Sequence, residues 1–208
     1  MNNKLALLPT VIAIIFPNNI FASSQLVENH FSQNLTEPKN HINKKIIEIS
    51  PADINGISSN FHEYFNMDKQ GIKINNDVKK PVKITINQVI SCEKSIIKGN
   101  IEILGNTKPH FIIENPNDID CSDHCSISNA NTATLTTNKI ITNNDMLSDQ
   151  SINNTKRQIY FKNITQDKFT NAATLELVAK SIKLESSQLN VNDIEISVSI
   201  NHPGNLGD

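Results

Sequence analysis

The 208-residue sequence has no tryptophan, only 5% aromatic residues and six glycines. Its lysines and arginines are scattered, and its formal net charge is -2. It therefore lacks the basic cluster typical of proteins that bind nucleic acid, and we expect no nucleic-acid partner. It also has no glycine-rich phosphate loop, no His-Glu-x-x-His metal motif and no Gly-x-Ser-x-Gly nucleophile elbow. We expect no catalytic residue, metal site, cofactor or enzyme activity.

Long apolar runs are scarce, and the clearest one lies at the N-terminus. Lys4 precedes an uncharged run from Leu5 to Phe16, and the small residues Ser23 and Ser24 follow it. This run is shorter than the roughly 20 residues that a membrane-spanning helix needs. We therefore predict a signal peptide over residues 1–22, with an uncleaved anchor as the alternative. No later segment is apolar enough to span a membrane as a helix, so we expect no transmembrane segment in the mature chain.

Asparagine and isoleucine are abundant, and apolar residues alternate with polar ones in short runs bounded by Asn, Asp, Gly or Pro. Such alternation is the signature of β-strands joined by turns. After a polar lead-in over residues 23–43, it continues to the end of the chain. The alternating positions are Ile47 and Ile49; Ile72 and Ile74; Val82, Ile84 and Ile86; Ile101 and Ile103; Phe111 to Ile113; Ile159 and Phe161; Leu175 and Leu177; Ile182 and Leu184; Leu189 and Val191; and Ile194, Ile196 and Val198.

These runs predict an all-β chain. Only Ser58 to Asp68 has apolar residues at helical spacing, and an aromatic loop packed on the core is the alternative there. In the last third, two to four residues separate the strands, without the Asn-Gly or Asp-Gly pair of a tight hairpin. That favours a parallel solenoid over a sandwich or barrel, with asparagines stacked in ladders at its corners.

Three cysteines remain after the predicted signal peptide: Cys92, Cys121 and Cys125. Export would place them where disulfides persist, and Cys121 and Cys125 are close enough in sequence to pair across a tight loop, leaving Cys92 over. A metal site is the alternative, because His124 lies between the pair and His110 lies upstream. Two unpaired thiols are a third reading. We favour the disulfide between Cys121 and Cys125.

Three stretches resemble, in order, the two-partner secretion domain of filamentous haemagglutinins and related haemolysins, also known as the haemagglutination activity domain. The first is residues 53–76, the second is residues 104–137, and the third is residues 173–196. Within the second stretch, Asn115, Pro116, Asn117, Asp118 and Ile119 are similar to the family's Asn-Pro-Asn-Gly-Ile motif, which is associated with secretion competence. Asp118 stands where the family has Gly, and the cysteines are spaced Cys-x3-Cys where relatives have Cys-x2-Cys.

The resemblance implies a right-handed parallel β-helix with short extra-helical strands or loops, formed by residues 44–201 and followed by a tail over 202–208. With roughly 20–25 residues a turn, about seven turns are expected. It also implies a partner, a TpsB-type outer-membrane β-barrel transporter that reads the domain through its periplasmic POTRA domains. The chain would reach the periplasm of a Gram-negative bacterium by its signal peptide, and then the medium or the cell surface.

The resemblance also indicates what the chain does. Because the sequence ends at Asp208, soon after the last matching stretch, we expect an exoprotein that consists essentially of the secretion domain. An adhesin or haemagglutinin role in virulence follows, with a host or bacterial cell surface as a further partner. One alternative is a truncated remnant of a larger haemolysin or contact-dependent-inhibition toxin. Another is a periplasmic β-solenoid enzyme acting on polysaccharide.

Overall fold

The structure is a computed structural model, and it describes residues 45–77, 79–143, 146–150 and 157–198. The predicted signal peptide, the lead-in over 23–43 and the tail over 202–208 lie outside these ranges. The described residues form strands and turns with no helix, and none of them forms the long apolar helix that would cross a membrane. The strands are β1 (Lys45–Glu48), β2 (Ile57–His62), β3 (Ile72–Asn75), β4 (Ile84–Val89), β5 (Ser95–Ile97), β6 (Asn100–Ile103), β7 (His110–Glu114), β8 (Ile119–Ser122), β9 (Ser126–Ser128), β10 (Thr132–Thr136), β11 (Lys139–Asn143), β12 (Met146–Gln150), β13 (Gln158–Lys162), β14 (Thr174–Ala179), β15 (Ser181–Glu185) and β16 (Ile194–Val198).

The strands build a right-handed parallel β-helix with three sheets. Sheet 1 has the order β16-β14-β10-β7-β4-β2, sheet 2 the order β15-β13-β8-β5, and sheet 3 the order β1-β3-β6-β9. Every pairing within these sheets is parallel, whereas β11 and β12 form a separate antiparallel hairpin. The chain passes from sheet 1 to sheet 2 to sheet 3 and back again, which confirms the predicted solenoid.

The number of turns differs from the expectation. Register partners in sheet 1 are 27, 26, 22, 42 and 19 residues apart, giving about five turns and not about seven. The 42-residue step is long because the hairpin of β11 and β12 is inserted after β10. The first two steps are also longer than the assumed 20–25 residues, so the same length of chain completes fewer turns.

The core lies inside the three sheets and is almost wholly apolar in the middle turns. Phe111, Ile119, Leu135 and Phe161 are each at most 1% exposed and belong to one continuous apolar cluster. The alternating apolar residues in the sequence are therefore the side chains that point into the core. In contrast, the first two strands of sheet 1 point polar side chains inward, and these side chains are Ser58, Asn60, His62, Thr85 and Asn87.

Two predicted elements differ from the structure. The helical alternative for Ser58 to Asp68 is wrong, because residues 57–62 form β2 and the aromatic loop that follows buries Phe65 beside the His62 ring. Leu189 and Val191 form no strand, although both pack partly buried against the core. Their segment lies in the last turn, where Asn190 O accepts a single main-chain hydrogen bond from Phe169 N, at 3.0 Å.

The corners of the helix use residues with left-handed backbone conformations. Asp123 (φ 57°), Asn163 (φ 55°) and Ser186 (φ 49°) follow β8, β13 and β15, so one corner repeats over three turns. Asparagine and aspartate are the non-glycine residues that adopt this conformation most readily. The prediction was that corner asparagines stack in ladders and bond to one another, whereas several of their side chains bond to main-chain oxygens of the neighbouring turn. Asn129 Nδ2, for example, donates to the main-chain oxygens of Ile103 and Gly105, at 2.7 and 3.0 Å.

Candidate functional site

The motif over residues 115–119 forms the corner that takes the chain from β7 in sheet 1 to β8 in sheet 2. A turn is centred on Pro116 and Asn117, where the proline ring fixes φ. Asn115 and Ile119 are fully buried, whereas Pro116, Asn117 and Asp118 are half-buried. The five residues therefore lie together at one corner, and only the three central residues are accessible to solvent.

Asn115 joins this corner to the preceding turn. Its side-chain Nδ2 donates to the main-chain oxygen of Glu93 at 3.0 Å and to Ser95 Oγ at 2.9 Å. Its Oδ1 accepts from the main-chain N–H of Asn117 at 2.9 Å, which closes an Asx turn. Because the side chain is 0% exposed, a partner cannot contact it in the folded protein.

Asn117 makes a similar but more exposed connection. Its Nδ2 donates to the main-chain oxygen of Ser91 at 2.8 Å, in the same loop of the preceding turn that Asn115 contacts. The side chains of both motif asparagines therefore hold one loop against the corner. In the folded chain, the two motif asparagines therefore have a structural role.

Asp118 explains how the chain tolerates a residue other than glycine in the motif. Its φ is 135°, in the region that side chains other than glycine rarely adopt. Its Oδ1 accepts hydrogen bonds from the main-chain N–H groups of Arg157 and Gln158, at 2.8 and 2.6 Å. Its carbonyl oxygen accepts from Ser95 N at 3.0 Å. The carboxylate thus offsets the backbone strain with two bonds that glycine could not make.

Cys121 and Cys125 are joined by a disulfide, with their Cα atoms 5.4 Å apart. Both are at most 1% exposed, and the loop between them contains the left-handed Asp123. Cys92 is a free, exposed thiol. The disulfide occupies both thiols that the alternative metal site needed, and no group of three or more metal-binding side chains occurs among the described residues.

The two histidines considered for that metal site lie apart. His124 lies in the loop closed by the disulfide, whereas His110 lies on sheet 1, with its Nε2 2.6 Å from Thr134 Oγ1 and 3.6 Å from Glu176 Oε2. The hydrogen bond from His110 lowers the pKa of the Glu176 carboxyl, against the opposing effect of its burial. This cluster is part of the outer face of sheet 1, away from the cysteines.

Glu114, immediately before the motif, is a site residue that the sequence did not indicate. It is 3% exposed, and its Oε2 accepts from Gln88 Nε2 at 2.6 Å and from the main-chain N–H of Ile140 at 3.0 Å. Burial raises the pKa of the Glu114 carboxyl. Since Ile140 belongs to β11, the carboxyl attaches the inserted hairpin to sheet 1 beside the motif corner. In sequence it is only one polar residue at the end of an apolar run.

Arg157 is a second residue that the sequence did not indicate. It precedes β13, is 3% exposed and places Nη1 3.3 Å from Asn138 Oδ1. Desolvation lowers the pKa of its guanidinium. Its main-chain N–H contacts Asp118 of the motif because the chain passes the same corner again one turn later. The local sequence around Arg157 does not indicate this contact.

Comparisons with known proteins agree with this geometry. No family model matches the sequence. The chain is 25% identical over 173 residues to the toxin CdiA of Yersinia pestis, covering 74% of this chain and 5% of that protein. It is 30% identical over 145 residues to the protein adenylyltransferase and cysteine protease IbpA of Histophilus somni, covering 62% of this chain and 3% of that protein. The chain thus spans only a small part of these relatives.

Among solved structures, the crystal structure of the filamentous haemagglutinin secretion domain matches with a TM-score of 0.59 at 20% identity. The match covers 78% of this chain and 60% of that chain. It includes the same kind of parallel solenoid that the strand register shows here. The chain therefore has the β-helix fold of the filamentous haemagglutinin secretion domain and resembles the two-partner secretion domain of exoproteins of that type.

Proposed function

We propose that residues 44–201 are a secretion domain that a two-partner outer-membrane β-barrel transporter recognises through its periplasmic POTRA domains. In this account residues 1–22 direct the chain to the periplasm, and the transporter passes it to the medium or the cell surface. The observation that supports this most is the parallel β-helix with a secretion-type motif at one of its corners. Recognition, and not catalysis, is the activity that this corner supports.

The fold suits passage across a membrane in extended form. Each turn satisfies its main-chain groups by pairing with the turn before it, so the first completed turns can template those that emerge later. The motif corner follows this logic. Asn115 and Asn117 bond back to the loop at residues 91–95, and Asp118 bonds forward to Arg157 and Gln158. One corner thus links three successive turns.

The burial of Asn115 determines when the motif can be read. A side chain with no exposed surface is accessible to a transporter only before the corner has formed. We therefore place recognition in the unfolded periplasmic chain, where strand addition to a POTRA sheet edge would supply main-chain hydrogen bonds. After release, the same residues close the corner.

At the surface, the folded solenoid would act as an adhesin of the filamentous haemagglutinin type on a host or bacterial cell. A parallel solenoid offers long, regular faces for such contacts. The outer face of sheet 2 carries cross-turn ion pairs such as Lys94 with Asp120, at 2.6 Å, which keep it charged and solvated.

The test compares secretion of matched variants in cells with and without a two-partner transporter from the same genome. Asn117→Ala removes a motif side chain with one side-chain-to-main-chain bond across turns, and Asn192→Ala removes a corner side chain with the same kind of bond, from Nδ2 to Ala172 O at 2.7 Å. We expect the wild-type chain in the medium only with the transporter, and less of N117A than of N192A. Equal secretion of both variants would make the motif a corner like any other, and transporter-independent release would contradict the proposal.

A further inference from the structure

The corner between β10 and β13 contains buried polar atoms without a partner. Among the side chains that the structure describes, three buried nitrogen or oxygen atoms have no hydrogen-bond partner: Thr137 Oγ1, Arg157 Nε and Arg157 Nη2. Thr137 directly follows β10 and Arg157 directly precedes β13, so both belong to the corner between sheets 1 and 2 where the hairpin is inserted. Buried polar groups in folded proteins nearly always have a partner. Three unsatisfied atoms at a single corner therefore point to a ligand.

Arg157 brings a buried positive charge to this corner. Its side chain is 3% exposed, and its Nη1 lies 3.3 Å from Asn138 Oδ1. Asn138 directly follows Thr137 in the chain, so the guanidinium contacts the residue next to the buried hydroxyl. A guanidinium stays protonated in proteins, and the amide oxygen of Asn138 is neutral. The charge of Arg157 is therefore hydrogen-bonded at one nitrogen but not compensated there.

No carboxylate pairs with this guanidinium in the part of the chain that the structure describes. None of the ion pairs between described residues includes Arg157. Asp118 contacts Arg157, but through the main chain: its Oδ1 accepts from the N–H groups of Arg157 and Gln158, at 2.8 and 2.6 Å. The guanidinium Nε and Nη2 stay unpaired. Because an unpaired buried charge costs several kcal/mol in general, this arrangement favours a bound counterion.

The chemistry of these atoms selects a small anion. Nε and Nη2 are neighbouring donors of one planar group, and the Thr137 hydroxyl is a further donor. A water molecule would accept these hydrogen bonds but would leave the charge of Arg157 uncompensated. A carboxylate or phosphate carried by a second macromolecule cannot reach a side chain that is 3% exposed. A monoatomic halide accepts hydrogen bonds from any direction, carries the required charge and is small enough for a buried position.

We propose that this corner binds one small inorganic anion, of the chloride class, between the Arg157 guanidinium and the Thr137 hydroxyl. The two residues lie on either side of the inserted hairpin, so the site exists only after the corner has closed. The anion therefore binds the folded chain and not the unfolded chain, and it stabilises the fold in proportion to its concentration over its dissociation constant. It holds together the two ends of the insertion, one turn beyond the motif corner. This inference does not depend on the proposed secretion role.

The first test measures the melting temperature of residues 23–208 in sodium chloride and in sodium gluconate. Gluconate is too bulky for a buried site, and equal ionic strength keeps general screening the same. We expect the wild type to melt about 2–4 °C higher in chloride. Arg157→Gln should lose this difference. In gluconate it should be at least as stable as the wild type, because it removes a buried charge that has no counterion there.

Two further variants complete this test. Lys69→Gln is the matched control, because it removes the same charge from an exposed position in the turn before β3, and it should keep the chloride difference. Thr137→Val keeps the shape of the side chain but removes the buried hydroxyl, and it should reduce the difference. Thr137→Val also tests the site if Arg157→Gln does not fold, which circular dichroism would show.

The second test locates the anion with bromide, which scatters anomalously. Crystals of residues 23–208 grown in sodium bromide should show an anomalous peak beside Nε and Nη2 of Arg157, and crystals of Arg157→Gln should show none at that corner. Bromide bound only at exposed lysines, or only a water molecule beside Arg157, would overturn the proposal. So would an equal chloride difference in the wild type, Arg157→Gln and Thr137→Val.

Discussion

The carboxylate of Asp118 accepts a hydrogen bond from the main-chain N–H of Arg157, 39 residues later in the sequence, at 2.8 Å. Both residues have positive φ, 135° and 111°, and both directly precede strands that pair in sheet 2. The bond therefore fixes the corner of one turn to the corner of the next. It spans the inserted hairpin of β11 and β12, so it also keeps the register of sheet 2 across the longest step in the helix.

Replacing Asp118 separates the strain at this corner from its hydrogen bonds. Asp118→Ala keeps the strained φ and loses both bonds to the next turn, so we expect a loss of about 2–4 kcal/mol in the free energy of unfolding. Asp118→Gly loses the same bonds but relieves the strain, and should cost about 1 kcal/mol less. Urea denaturation of the three proteins measures the difference. Equal stability of the two variants would show that φ at this position carries no strain.

The disulfide should stabilise the fold to a limited extent, because it closes a short loop. For the separation of four residues between Cys121 and Cys125, loop-closure entropy predicts about 2 kcal/mol. Reduction, or replacement of both cysteines by alanine, should lower the melting temperature, whereas Cys92→Ser should not, because Cys92 is exposed and free. Thiol titration of the folded, oxidised protein should find one free thiol. Three titrated thiols would contradict the pairing.

Acidification should destabilise the first turns through His62. Burial lowers the pKa of His62 below its ordinary value of 6.5, against the effect of its hydrogen bond with Asn87. The unfolded chain therefore binds a proton that the folded chain excludes, and stability falls as the pH drops below about 6.5. Hydrogen exchange of β2 between pH 7 and 5 measures this loss.

A matched variant isolates that effect. His62→Gln keeps a side chain that can donate to Asn87 but removes the titration, so its stability should change less over the same range. Glu114 acts in the opposite direction. Burial raises its pKa in the folded chain, so the stability it contributes at low pH is lost as the pH rises from its ordinary pKa through the raised pKa. Glu114→Gln therefore serves as the second comparison. A pH dependence that His62→Gln leaves intact would assign the effect to another group.

Asn115 should contribute more to stability than Asn117. Asn115→Ala removes two donated hydrogen bonds from a fully buried position and leaves the carbonyl of Glu93 without that donor. We expect a loss of about 2–3 kcal/mol, against about 1 kcal/mol for the half-exposed Asn117→Ala. Thermal unfolding of both variants measures the difference. If Asn117→Ala proved the more damaging, the corner would depend on its outer surface.

Much of the fold could be predicted because strand alternation in a solenoid records which side chains point inward. Ile72, Ile74, Ile101 and Ile103 mark sheet 3 in this way, and each lies in the core. The polar interior of the first turns could not be predicted. Asn60 and Asn87 look like turn residues in the sequence, yet they occupy inward positions in β2 and β4 and bond to neighbouring turns.

The candidate site was located by its motif, but its contacts were not. The partners of Asp118 and Glu114 lie a full turn or more away, and only the register of the sheets brings them together. Short polar strands such as β9, Ser126–Ser128, were missed for the same reason, because pairing with neighbouring turns holds them and local propensity does not.

The central claim is that a transporter recognises the motif before the corner forms. The most direct measurement is the affinity of purified POTRA domains of the two-partner transporter for folded residues 23–208 and for a chain kept unfolded by Phe111→Asp and Leu135→Asp. Both changes put charges into the core and leave residues 115–119 unaltered. The account predicts that the unfolded chain binds, that Asn115→Ala and Asn117→Ala in that chain weaken binding, and that the folded chain does not bind. Binding to the folded chain alone, or no binding to either, would contradict it.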